Sequence, residues 1–152
     1  MIGAMLRSVG GVIAGLTVAL FFVIGVEGLG SILHPFPPGV DPTDLEVCKA
    51  HVARYPTGLL ALVVVAWGTA VFVSSWVATR LGTGRYLAHG VLVGSILLAA
   101  VVFNMAMLPY PKWFWINVIV FPIAFLAGAK FAQPARTHRQ PVGEWDEIRS
   151  FE

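Results

Sequence analysis

Charge is scarce in this chain, and cysteine is almost absent. Lys and Arg number 10 and Asp and Glu 8, so charged side chains make up 12% of 152 residues. A soluble globular domain carries about 25%. Hydrophobic residues make up 57%, and the mean hydropathy is +0.80. A single soluble core of this length could not remove so much apolar surface from water, whereas a bilayer accepts it without burial. A net charge of +2 is too small to argue for nucleic acid. Cys48 is the one cysteine, which excludes an internal disulfide and reads as a free thiol. The chain has no G-x-x-x-x-G-K-[ST], G-x-S-x-G, C-x-x-C or H-E-x-x-H, so no catalytic motif and no cofactor is implied.

What is present is four long apolar runs. The sequence predicts an all-α polytopic membrane protein, a bundle of four transmembrane helices over about 6–33, 58–79, 86–108 and 113–131. Residues 1–132 form the transmembrane domain, with a loop at 34–57, and 133–152 a polar tail. The first run is longer than the h-region of a signal peptide, about 7–15 residues, and reads as an uncleaved span. It stops at His34-Pro35-Phe36-Pro37-Pro38-Gly39, which cannot continue a helix. Within the loop, Asp41 or Thr43 is the expected cap of a short amphipathic helix over about 42–54. That helix would turn Leu45, Cys48 and Val52 to one side.

Small residues mark the expected contacts between spans. Gly11-x-x-x-Gly15 has the small-xxx-small spacing, and Ala61, Gly68 and Ser75 recur at sevens. Trp113, Phe114 and Trp115 read as an aromatic anchor at the mouth of the fourth span. Pro122 should kink that span and free the carbonyl of Val118.

The two halves resemble each other. Gly11-Val12-Ile13-Ala14-Gly15 is echoed by Gly90-Val91-Leu92-Val93-Gly94. His34-Pro35-Phe36-Pro37 is echoed by Leu108-Pro109-Tyr110-Pro111. This reads as a tandem repeat of two helical hairpins. Reuse of glycine and proline by membrane helices would give the same pattern.

Basic residues divide unevenly between the two ends. Arg7, Arg80, Arg85, Lys130, Arg136, Arg139 and Arg149 fall on one side, and Lys49, Arg54 and Lys112 on the other. The positive-inside rule then predicts cytoplasmic termini and a multi-pass protein of the bacterial inner membrane.

The HPFPPGVDP run, the glutamate seven residues before its histidine, the W-x8-W pair of the second span and the Trp-Phe-Trp entry to the fourth carry a resemblance. They are similar to a group of uncharacterised bacterial four-span integral membrane proteins with no assigned activity. The resemblance implies the architecture and no chemistry.

One acid, Glu27, lies inside an apolar run. A carboxylate facing lipid is costly, so Thr17, Ile24, Glu27, Ser31 and His34 are expected to form an inward stripe. Glu27 lies about 10 Å from His34 along the helix axis. Asn104 and Asn117 fall at similar depths in the third and fourth spans. The candidate intramembrane polar site is therefore Glu27, His34, Asn104 and Asn117. Hydrogen bonding between spans explains the same residues without any ligand. A metal site drawn from His34, His51, Asp41, Asp44 and Glu46 matches no established ligand spacing. Two readings of function remain. One is a structural or accessory membrane component whose partners are the lipid bilayer and a second protein or another copy. The other is proton-coupled or small-solute transport using Glu27 with Asn104 and Asn117.

Overall fold

The computed structural model describes residues 2–83 and 86–133. Helix α1 spans Ile2–Leu33, α2 Leu45–Val52, α3 Thr57–Leu81, α4 Tyr86–Met107 and α5 Asn117–Phe131. A 3-10 turn, Lys112–Ile116, leads into α5. Four helical segments are long and apolar enough to cross a membrane, three of them α1, α3 and α4, and the fourth the 3-10 turn with α5. The polar tail beyond residue 133, and residues 84 and 85 of the connector, lie outside the described residues.

Prolines set the boundaries. The last backbone bond of α1 runs from His34 N to Gly30 O at 2.8 Å, and Pro35 then ends the run. Gly39 takes a positive φ of 81°, a turn that a side chain would strain. Pro56 stands at the N-cap of α3, and Leu59 and Leu60 donate to its carbonyl. Pro111 precedes the 3-10 turn, and Pro122 lies inside α5. The cap of α2 is Asp44, whose side chain accepts from Glu46 N at 2.8 Å. Asp41 instead accepts from both Thr43 N and Thr43 Oγ1. That local turn occupies its carboxylate, so the helix starts later than 42 and ends at Val52.

Helix α3 is the hub, packing on α1, α4 and α5. Its half near the α3–α4 connector is held by very close backbone approach. A Cβ at Gly11 would lie 2.9 Å from Gly82 N, and one at Gly15 would lie 2.8 Å from Ser74 O. On the other side a Cβ at Gly90 would collide with Thr79 Oγ1, and one at Gly128 with Phe72 O. Ser74, Ser75, Ala78 and Thr79 are buried between these glycines. Such small-residue contacts replace the hydrophobic driving force that lipid removes. Of the Ala61, Gly68, Ser75 seam, Gly68 and Ser75 are buried, while Ala61 is exposed.

The same end of the bundle is tied by polar bonds. Thr83 Oγ1 lies 2.9 Å from Ala4 O and 2.8 Å from Ser8 Oγ. Arg80 donates to Ala132 O at 3.3 Å, placing a cation at the C-terminal end of α5 as the helix dipole favours. The start of α1, the connector after α3 and the end of α5 therefore share one end. The loop and the Pro109 corner share the other.

Helix α1 does not present the expected face. Thr17, Ile24 and Ser31 are exposed, and the Ser31 hydroxyl donates to Gly28 O of its own helix. The buried residues are Gly11, Gly15, Ala19 and Gly30. Close approach to α3 selects the small residues, and their spacing of four rotates Thr17 and Ser31 away. Glu27 continues the small-residue stripe beyond Ala19. Phe114 is likewise no anchor at a membrane surface. It is fully buried in the core, while Trp113 and Trp115 are each 42% exposed.

Candidate functional site

Past Ala19, α1 no longer touches its neighbours so closely. Two cavities lie between this half of α1 and the other helices. The first, about 200 Å³, is bounded by Ala19, Val23 and Glu27 of α1 and by residues of α3, α4 and α5, among them Leu97, Val101 and Phe121. Its walls are mostly apolar. The second, about 290 Å³, lies towards the loop end and is ringed by Phe36, His51, Tyr55, Trp67 and Tyr110. Glu27, Trp67 and Asn104 line both cavities, so the two adjoin at these three side chains.

Each wall is braced by a further ring. His51 stacks on Phe36 with centroids 3.8 Å apart and on His34 at 4.5 Å. Tyr55 meets the edges of both histidines. A Cβ on Gly30 would lie 3.1 Å from the Tyr55 hydroxyl, so glycine lets that hydroxyl lie against α1. Behind the bundle wall, Phe114 stacks on Tyr110 at 4.4 Å and meets Trp67 edge-on at 5.7 Å. The rings are thus fixed in orientation by neighbours outside the cavity.

The polar atoms of the site are under-used. Trp67 Nε1 and Asn104 Oδ1 are buried and have no protein hydrogen-bond partner among the described residues. Burying such atoms without a partner is costly, about 1–3 kcal/mol each by mutational measures. Among the described residues no ion pair involves Glu27; the pair present is Lys49–Glu46 on α2. Glu27 is exposed, and it lines both cavities. Burial, and after it the neighbouring Glu27, pushes the Tyr110 and Tyr55 phenols above their usual pKa. Both hydroxyls therefore stay protonated and able to donate at neutral pH.

The four residues singled out in the sequence are placed differently from one another. Glu27 and Asn104 line the same cavities. His34 braces the rim through His51 and Tyr55, and its buried Nε2 has no partner among the described residues. Asn117 lines neither cavity. It is fully buried, and its Nδ2 donates to Phe114 O at 2.8 Å, holding the entry to α5. Sequence reasoning missed Trp67, Tyr55, Tyr110 and Phe36. The Pro-aromatic-Pro echo was a signal for the last two, since both corners send their aromatic residue to the same cavity. Among the described residues no three His, Cys, Asp or Glu side chains come together to hold a metal. His34 and His51 meet without a third ligand.

Compared with known proteins, the chain matches no family model, no curated protein and no solved structure.

Proposed function

We propose that this chain is a small multi-pass protein of the bacterial inner membrane, with both termini cytoplasmic, that binds and carries a small solute at Glu27. The resemblance to bacterial four-span proteins and the bias of basic residues support the membrane and the orientation. One observation carries the solute site. A carboxylate within a span, without a cationic partner among the described residues, bounds two adjoining cavities together with the unpaired polar atoms of Trp67 and Asn104. An intramembrane acid that serves packing alone is expected to be satisfied by its own neighbours.

The test is a thermal-stability screen of the purified protein against organic cations, alkali-metal ions, amino acids and neutral sugars. At least one class should raise the unfolding temperature of the wild type and fail to do so in Glu27→Gln. A wild type indifferent to every class would overturn the solute site. The exposure of Glu27 favours a second reading, an accessory component whose acid touches another subunit or another copy. In that case Glu27→Gln should release a co-purifying partner or lower the oligomeric state, with no solute effect in either form.

A further inference from the structure

The chemistry of the cavity walls selects among ligands, and this selection rests on the solute-binding reading above. A small hard cation seeks several oxygen ligands, six to eight for calcium. This site offers the Glu27 carboxylate, the Asn104 amide oxygen and two phenols, set among carbon surfaces. An anion would face that carboxylate with no Lys or Arg among the described residues that line either cavity. A sugar needs a donor or acceptor for each hydroxyl, and beyond Glu27, Trp67 and Asn104 the side chains lining the first cavity are apolar. What the site does supply is one carboxylate, a ring of aromatic side chains and an adjoining apolar limb. Aromatic faces attract a desolvated cation by their quadrupole, most strongly for tryptophan. The combined space is within the range of small-molecule sites, about 300–1,000 Å³.

We propose that the paired cavities bind a monovalent organic ammonium ion with an apolar substituent. Its charged nitrogen lies in the chamber of Glu27, Trp67, Tyr55 and Tyr110, and its substituent in the limb lined by Val23, Leu97, Val101 and Phe121. Glu27 supplies the negative counter-charge, for which no protein cation competes in an ion pair among the described residues. Asn104 Oδ1 accepts from an N–H where the ammonium carries one. The braced rings are held by their ring contacts without the ligand, so little ordering is required on binding.

The test uses the full chain in lipid nanodiscs. Titration calorimetry compares benzyltrimethylammonium chloride with neopentylbenzene, its neutral isostere, and with benzenesulfonate, all in buffer containing sodium chloride. The cation should bind saturably, with one site per chain, and the other two should bind at least tenfold more weakly. Glu27→Gln should weaken the cation at least tenfold, and Trp67→Leu several-fold. Val23→Trp, at the edge of the limb, should weaken benzyltrimethylammonium and leave tetramethylammonium unchanged. The wild-type comparison stands alone if a variant fails to fold. Equal binding of the neutral isostere, or preference for the sulfonate, would overturn the ammonium proposal and leave a solute site standing. Full-strength cation binding by a folded Glu27→Gln would overturn it as well. If no probe of any charge binds and the solute screen is flat, both readings fall together.

Discussion

His34 and His51 lie face to face, ring centroids 4.5 Å apart, although one ends the first membrane-length helix and the other belongs to the short helix of the loop. His51 is the more enclosed of the two, with Phe36 on its far side. Their contact fastens the loop to the bundle at the rim of the aromatic chamber.

This contact makes the loop sensitive to acid. Burial, and next the charge of His34, hold the His51 imidazole below its usual pKa, with Arg54 adding in the same direction. The unfolded chain would then bind a proton at His51 more readily than the folded one. The resulting stability is present above the ordinary histidine pKa, about 6.5, and is lost as pH falls from there towards the lower folded value. Other groups near His51 are Tyr55, neutral throughout this range, Cys48 of its own helix, and Glu27 of α1, which lines the same chamber. The apparent unfolding temperature should be lower at pH 5.5 than at pH 7.5. The difference should shrink in His51→Phe, which keeps a ring against Phe36. A difference unchanged in that variant would assign the acid sensitivity to another group.

Asn117 separates the structural from the functional asparagine. Asn117→Ala removes the bond to Phe114 O and should cost about 1 kcal/mol, the usual net worth of one such bond. Unfolding in mixed micelles measures this loss. Binding of benzyltrimethylammonium should be unaffected, because Asn117 lines neither cavity. Weakened binding in a variant of normal stability would bring Asn117 into the site.

The orientation is checked by labelling, in a background carrying Cys48→Ala. Ala50→Cys, on the exposed side of α2, should react with an impermeant maleimide added to intact cells whose outer barrier is opened. Leu81→Cys, exposed at the opposite end, should react only after the inner membrane is breached. The reverse pattern would invert the protein and place the chamber towards the cytoplasm.

The spans were legible because length and hydropathy suffice to find them. The runs expected at 6–33, 58–79, 86–108 and 113–131 correspond to helices at 2–33, 57–81 and 86–107 and to the segment 112–131. The face of α1 was not legible from its polar residues. Thr17 and Ser31 can satisfy themselves on their own helix, as Ser31 does, and so need no inward position. Gly11 and Gly15 decide the rotation, because only they permit the approach to Ser74 and Ala78. The Trp-Phe-Trp entry was ambiguous for a similar reason. An aromatic cluster at a span end suits a membrane surface and a chamber wall alike, and only packing separates Phe114 from its two neighbours. The convergence of Phe36, His51, Tyr55, Trp67 and Tyr110 depends on how the loop folds over the bundle. No local periodicity encodes that.

The crowding of Gly11 and Gly15 against α3 gives the first helix a fulcrum. It is anchored within its first turns by Thr83 and by the backbone at Gly82, and beyond Ala19 it is held again only at its far end, by Tyr55 against Gly30 and by His51 against His34. Glu27 lies 16 residues past Gly11, roughly 24 Å along the axis at 1.5 Å per residue. A swing of only about 5° about that anchor carries the carboxylate roughly 2 Å, on the order of an atomic radius, by that same helical geometry. The glycines that lock one end thus set the pivot about which the longer arm, carrying Glu27, would turn. Any such swing would change the width of the chamber mouth and carry the His34 contacts with His51 and Tyr55 along with it.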